Sequence, residues 1–180
     1  NAFNPLWVDS QALAQLFQAI YAIDEDGLDP EDYHLSDLLR MRSEGREESG
    51  SATGAPPDFD LLLTDSFIRL AYHLAYGKVN PRSLNPAWNF HRKIAARDPV
   101  PILLDAIRSN EVFNFLDRLK TQVSYYLKLK AVLAVYRDIQ RRGGWRSIPE
   151  DIQFVKGERS PYVAILRERL LLTGDLTRQS

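Results

Sequence analysis

Apolar residues recur at helical spacing from end to end of this chain, and glycine or a proline-led turn closes each run. That punctuation confines the fold to helices of modest length. Leu13, Leu16, Phe17, Ile20 and Ile23 fit one such helix, which Asp9 or Ser10 can cap. The stretch DEDGLDPEDYHL ends it. There Gly27 suits a left-handed stop, and Asp29-Pro30-Glu31-Asp32 reads as a cap, a first position and an acidic first turn. A short helix through Leu35, Leu38 and Leu39 is expected next. Residues 43–57, SEGREESGSATGAPP, are polar, small and without period, which predicts a flexible, solvated loop.

Asp58 or Asp60 then opens a strong helix, with Leu62, Leu63, Phe67, Leu70, Ala71, Leu74 and Ala75 toward a core and Gly77 as its stop. It runs into YGKVNPRSLNPAW, where Asn-Pro occurs twice. Pro81 and Pro86 each push the preceding Asn out of the right-handed helical region, so the chain must turn. The segment therefore reads as a structural joint rather than a binding loop. Asp98-Pro99-Val100-Pro101 starts another helix, carrying Ile102, Leu103, Ala106 and Ile107, and Glu111 to Leu119 forms one more. Val123 to Arg142 is the longest, with Tyr126, Leu129, Val132, Leu133, Tyr136 and Ile139 on one face and Gly143-Gly144 at its end. Ser160-Pro161 caps a last helix through Val163, Leu166, Leu170 and Leu171, which stops at Gly174. No stretch alternates as a strand, so the expected fold class is all-α.

Composition narrows the function. Hydrophobic residues at 44% and charged residues at 26% are the mix of an ordinary globular protein. A formal net charge of −1 gives no field for nucleic acid or an anionic membrane, and no nucleic-acid partner is expected. Charges interrupt the apolar runs every few residues, which excludes a spanning helix. The absence of cysteine removes disulfides, thiolate nucleophiles and cysteine metal sites together. Beginning at Asn1 rather than Met, the sequence reads as a processed or truncated chain, so a missing leader says nothing about location.

Motifs of catalysis are lacking. Asp24, Asp26, Gly27 and Asp29 crowd together like a calcium loop, but with Gly27 sixth the first ligand position falls on Ala22 and the twelfth on Tyr33. His34, His73 and His91 have no metal-ligand spacing. No strained serine elbow and no phosphate-binding glycine loop is present. No cofactor, metal or catalytic residue is expected. One feature stands out: Arg137, Arg141, Arg142, Trp145 and Arg146 form a basic, aromatic corner after the longest helix. Its plain explanation is cations complementing a helix C-terminus around one anchoring Trp. Its functional one is a surface for an anionic polymer or a neighbouring domain.

Four stretches, in order, resemble a known family: PLWVDSQALAQLFQAI with DGLDPEDYHL; LLLTDSFIRLAYHLAYGKVNPRSLNPAW; YYLKLKAVLAVYRDIQRRGGWRSIP; and KGERSPYVAILRERLLLTGDL. The series is similar to the N-terminal scaffold region of the large YcbB-type L,D-transpeptidases, running into their peptidoglycan-binding-like helical domain. It covers nearly all of the chain except 43–57, and GKVNP resembles that family's turn between scaffold helices. The resemblance implies an irregular multi-helix scaffold bundle over 1–155 and, at 156–180, the first helix of an incomplete peptidoglycan-binding-like domain. Trp7, Leu28, Tyr33, Leu74, Trp88, Tyr136 and Trp145 would then be structural anchors. It implies a periplasmic protein of cell-wall synthesis whose partners are peptidoglycan and its own downstream catalytic domain. That domain would carry the cysteine nucleophile and its His-Gly-Cys motif, so this stretch itself would be no enzyme. The alternative is a free-standing helical module that recruits cell-wall enzymes.

Overall fold

The structure, a computed structural model, describes residues 4–49, 57–85, 87, 98–157 and 159–177. These are helical, with no strand among the described residues, as the sequence pattern predicts. The chain divides into two compact units, Asn1–Val123 and Ser124–Ser180.

In the first unit α1 spans Ser10–Ala22. Asp9 caps it, its Oδ1 accepting the Gln11 N–H at 2.7 Å, and Leu16, Phe17 and Ile20 are buried. Gly27, at φ 78°, closes the 3-10 turn Ile23–Asp26 that follows. Asp29 also caps as expected, its Oδ1 accepting the Glu31 N–H at 3.0 Å. What it caps, however, is another 3-10 turn, Pro30–Tyr33, ended by His34 in the left-handed region at φ 60°. The chain becomes α-helical again at Leu35.

That helix, α2, spans Leu35–Ser49 and corrects the loop predicted at 43–57. Arg40 bridges Asp37 at 3.0 Å and Glu44 at 3.3 Å, the i,i+3 and i,i+4 pairs that support an exposed helix. Gly45 costs such a helix only about 1 kcal/mol, and so does not end it. The remainder of the expected loop, 50–56, lies outside the described residues.

The central element is α3, Pro57–Tyr76, which buries Phe59, Leu63, Phe67 and Leu70. It also buries Asp60, whose Oδ1 accepts the backbone N–H groups of Leu6 and Trp7, each at 2.8 Å. The Trp7 indole N–H donates to Thr64 Oγ1 at 3.0 Å, and the ring meets Phe67 edge-on. Tyr33 is fully buried beside α3: its hydroxyl lies 3.0 Å from His73 Nδ1, and its carbonyl accepts from Ser66 Oγ. Gly77, at φ 82°, ends the helix, with its N–H on His73 O at 2.8 Å. Pro81 starts the single turn α4, Pro81–Leu84, and Lys78 pairs with Asp32. The joint predicted from Asn-Pro is thus a helix stop and restart. Pro86, Trp88 and His91 lie outside the described residues.

Helices α5 (Val100–Arg108) and α6 (Val112–Leu119) complete the unit, α6 packing against α1 and α3. Asn110, at φ 57°, makes the turn between them. Gln15 of α1 brackets that turn, donating to Asn110 O at 2.7 Å and accepting the Phe113 N–H at 3.0 Å. At the far end of α6, Lys120 Nζ reaches Asp26 at 3.0 Å and Asp117 at 3.2 Å. The Asp26 side chain is 1% exposed, so this pair is a buried one.

The second unit holds α7, Ser124–Arg141, and α8, Pro161–Thr173, joined by an extended segment. Ser160 caps α8 and Gly174, at φ 80°, ends it. The boundary expected at 155 falls inside this unit, because the connector and α8 pack with the end of α7. Two helices cannot enclose each other. Of the face expected on α7 only Ile139 is buried, while Leu129, Val132 and Tyr136 are exposed, and α8 buries no residue.

Two outcomes follow from this packing. Asp60→Ala strands one buried and one partly buried N–H donor and should lower the unfolding free energy by roughly 1–4 kcal/mol in urea titrations. Asp60→Asn, which keeps an acceptor oxygen, should lose much less; equal losses would deny the clamp. The second outcome concerns alkali. Burial, reinforced by Asp32, pushes the Tyr33 phenol well above its usual 10.0. Burial alone would depress Lys120, but Asp26 and Asp117 outweigh it and raise the amine above 10.5. Raised groups stabilise the fold below their unfolded values and lose that contribution as pH climbs through the folded ones. The thermal midpoint should therefore hold up to about pH 10 and fall above it, less steeply in Tyr33→Phe, since in the unfolded chain the phenol titrates near 10.

Candidate functional site

Charge decides where a partner could be held. In the first unit several ionic groups pair between elements of the fold. Asp26 is taken by Lys120 and Asp32 by Lys78, so the acidic turn that resembles a calcium loop serves as a bracket between helices. His34 Nε2 lies 2.8 Å from Asp65 Oδ2, and Arg69 meets the same oxygen at 2.9 Å. Partial burial alone would raise the Asp65 carboxyl, but His34 and Arg69 outweigh it and hold it below its ordinary value. Among the described residues no group of three His, Asp or Glu is placed to hold a metal ion. None of the described helices is long and apolar enough to cross a membrane.

The corner flagged in the sequence does assemble, within the second unit. Arg141 and Arg142 project from the end of α7 and share one carboxylate, Asp138, at 3.3 and 2.6 Å. Gly143 and Gly144, both at positive φ, turn the chain, which brings Trp145 back against Tyr136 edge-on at 5.9 Å. Arg169 of α8 covers the Trp145 ring at 4.7 Å, and Arg146 bridges Glu168 at 3.1 Å. Arg137, one turn before Arg141 on α7, is half-buried and also engaged. The sequence reading missed Asp138, Glu168 and Arg169. Asp138 was legible, standing three and four residues before its arginines. Glu168 and Arg169 were not, because 22 residues separate Arg146 from Glu168.

The guanidiniums of Arg141, Arg142 and Arg146 are each about 70% exposed, so their ion pairs are loose. Beside Glu168, α8 and the residues after it frame an open depression of about 570 Å³, lined by Ala164, Arg167, Glu168, Leu171, Leu172 and Leu176. The arrangement offers planar cations and an apolar seat, with no nucleophile paired to a base. Exposed guanidiniums of this kind are chemically suited to oxyanions.

A family model described as Scaffold domain matches residues 1–133. The chain belongs to this Scaffold domain family. No curated protein and no solved structure matches it. The Scaffold match takes in the whole first unit and the first half of α7, and it ends before the arginine corner. Of the anchors expected in this Scaffold domain, Trp7 and Tyr33 are buried, and Leu28 and Leu74 pack partly buried against the core. In the second unit Trp145 is half-buried, and Tyr136 is 46% exposed.

If Trp145 is what joins α7 to α8, then Trp145→Ala should speed amide exchange throughout α8. The edge and cation contacts together are worth about 1–2 kcal/mol. Amides of α3, in the other unit, should keep their protection. Unchanged exchange in α8 would assign the joining to other contacts.

Proposed function

We propose that this chain is the non-catalytic scaffold and peptidoglycan-binding region of a periplasmic L,D-transpeptidase, which cross-links peptidoglycan stem peptides in cell-wall synthesis. The observation that carries the reading is the Scaffold family match over 1–133. It coincides with the first two stretches that resemble the transpeptidase scaffold, 5–35 and 61–88. The ion pairs His34–Asp65, Lys78–Asp32 and Lys120–Asp26, which tie elements of the first unit to one another, support a structural role. Acyl transfer through a covalent intermediate needs an activated nucleophile, a base beside it and donors for the oxyanion. On this reading those groups belong to a downstream domain, and peptidoglycan and that domain are the partners.

The test is incubation of this chain, and of the longer gene product, with a carbapenem, followed by intact mass. The longer protein should gain one adduct and lose it when its downstream cysteine is replaced by alanine. This chain should gain none. A stoichiometric adduct on the chain itself would overturn the proposal. An unmodified longer protein would favour the alternative, a helical module that recruits cell-wall enzymes, for which the exposed Leu129 and Val132 of α7 offer a surface.

A further inference from the structure

Formal charge is distributed unevenly between the two units. Residues 124–180 carry 11 Lys and Arg against 6 Asp and Glu, a net of +5, which leaves −6 on residues 1–123. The basic excess is densest at the corner, where, among the described residues, the guanidiniums of Arg141, Arg142 and Arg146 pair with two carboxylates, Asp138 and Glu168, and Arg169 lies over Trp145. We propose that this corner, together with the apolar depression beside Glu168, is a docking surface for a short acidic peptide segment bearing one apolar side chain.

Three observations select that partner. First, these arginines already hold carboxylates at 2.6 to 3.3 Å on an exposed surface. A partner's carboxylate meets side chains whose geometry suits it, and Arg141 and Arg142 have a single internal carboxylate between them. Exposed pairs of this kind are worth at most about 1 kcal/mol, so exchange of one carboxylate for another is cheap. Second, the aromatic rings of the corner are already engaged by its own side chains: Arg169 covers the Trp145 ring and Tyr136 meets that ring edge-on. A single-stranded nucleic acid would lack the stacking that usually carries its binding. Third, a long polyanion or an anionic bilayer needs an extended basic field, and the formal net charge of the chain is −1. A short segment touches the corner alone.

The depression supplies direction. Leu171, Leu172 and Leu176 line it together with Arg167 and Glu168, and Glu168 also holds Arg146. An apolar side chain seated among the leucines would place flanking carboxylates beside Arg146. Binding there competes with Glu168 for that arginine. The surface does not depend on the cell-wall reading, whose test is a covalent adduct and not a binding curve.

The experiment uses the whole chain and a fluorescein-labelled peptide carrying four Glu around one Leu, followed by anisotropy across a salt series. The peptide should bind, and the same peptide with Gln for Glu should not. Arg141→Glu with Arg142→Glu should weaken binding by roughly tenfold or more and flatten the salt dependence, because charge complementarity is removed. Lys128→Glu, about 20 Å back along α7, should leave it within about twofold. Leu172→Gln, or Ser in place of the peptide's Leu, should weaken it as well. Circular dichroism checks each variant, and Arg141→Gln with Arg142→Gln repeats the test should the reversal unfold the protein. No binding, an unchanged affinity in both double variants, equal binding of the Gln peptide, or tighter binding of a single-stranded DNA 20-mer or of anionic phospholipid vesicles would each overturn the proposal.

Discussion

The first unit depends on one buried carboxylate. Asp60, in the first turn of α3, takes the backbone N–H groups of Leu6 and Trp7. This fixes the entry of the chain, places the Trp7 ring against Phe67 and lays the segment before α1 against α3. An extended segment has no hydrogen-bonding partners of its own, so its donors must be met by another element or by water. Asp60 meets two at once, near a helix N-terminus that itself favours a negative charge. The hydrophobic contacts around it would be satisfied by many arrangements of that segment on α3. The carboxylate selects one.

The other polar contacts of that unit repeat the same logic at its turns. Gln15 holds the α5–α6 turn through both ends of its amide. Lys120 ties the end of α6 to the turn after α1. His34, in an uncommon left-handed conformation, is held by Asp65 of α3. Buried ion pairs seldom stabilise beyond what a hydrophobic replacement would give, but breaking one is costly. Their effect here is to fix which turn sits on which helix, in a core built mostly from Leu, Ile and Phe.

Helix existence was legible from the sequence because period and caps are local signals. Asp9, Asp29, Gly27, Gly77, Ser160 and Gly174 all act where their chemistry placed them. The extension of α2 through 43–49 was obscured by composition, because one glycine among polar residues looks like a loop until the Arg40–Glu44 pair is seen. The 3-10 character of Pro30–Tyr33 depends on burying Tyr33, and burial is a tertiary fact. The same holds for the candidate site. Its α7 half was written locally as arginines before a double glycine, whereas Glu168 and Arg169 join it only through the fold.

The two units differ in how they treat charge, and that difference is functional information. In the first, Asp26 has lost its water to Lys120, and His34 and Arg69 crowd onto one oxygen of Asp65. The Asp26–Lys120 pair is committed: releasing Lys120 leaves a desolvated carboxylate behind, so it makes a poor ligand for anything external. In the second, Arg141, Arg142 and Arg146 remain in water, and their internal carboxylates cost little to displace. A surface built to recognise must keep its charges exchangeable, and a frame must not. By that criterion the first unit is the frame, in keeping with its family, and the exchangeable cations lie at the end of α7 and just after it.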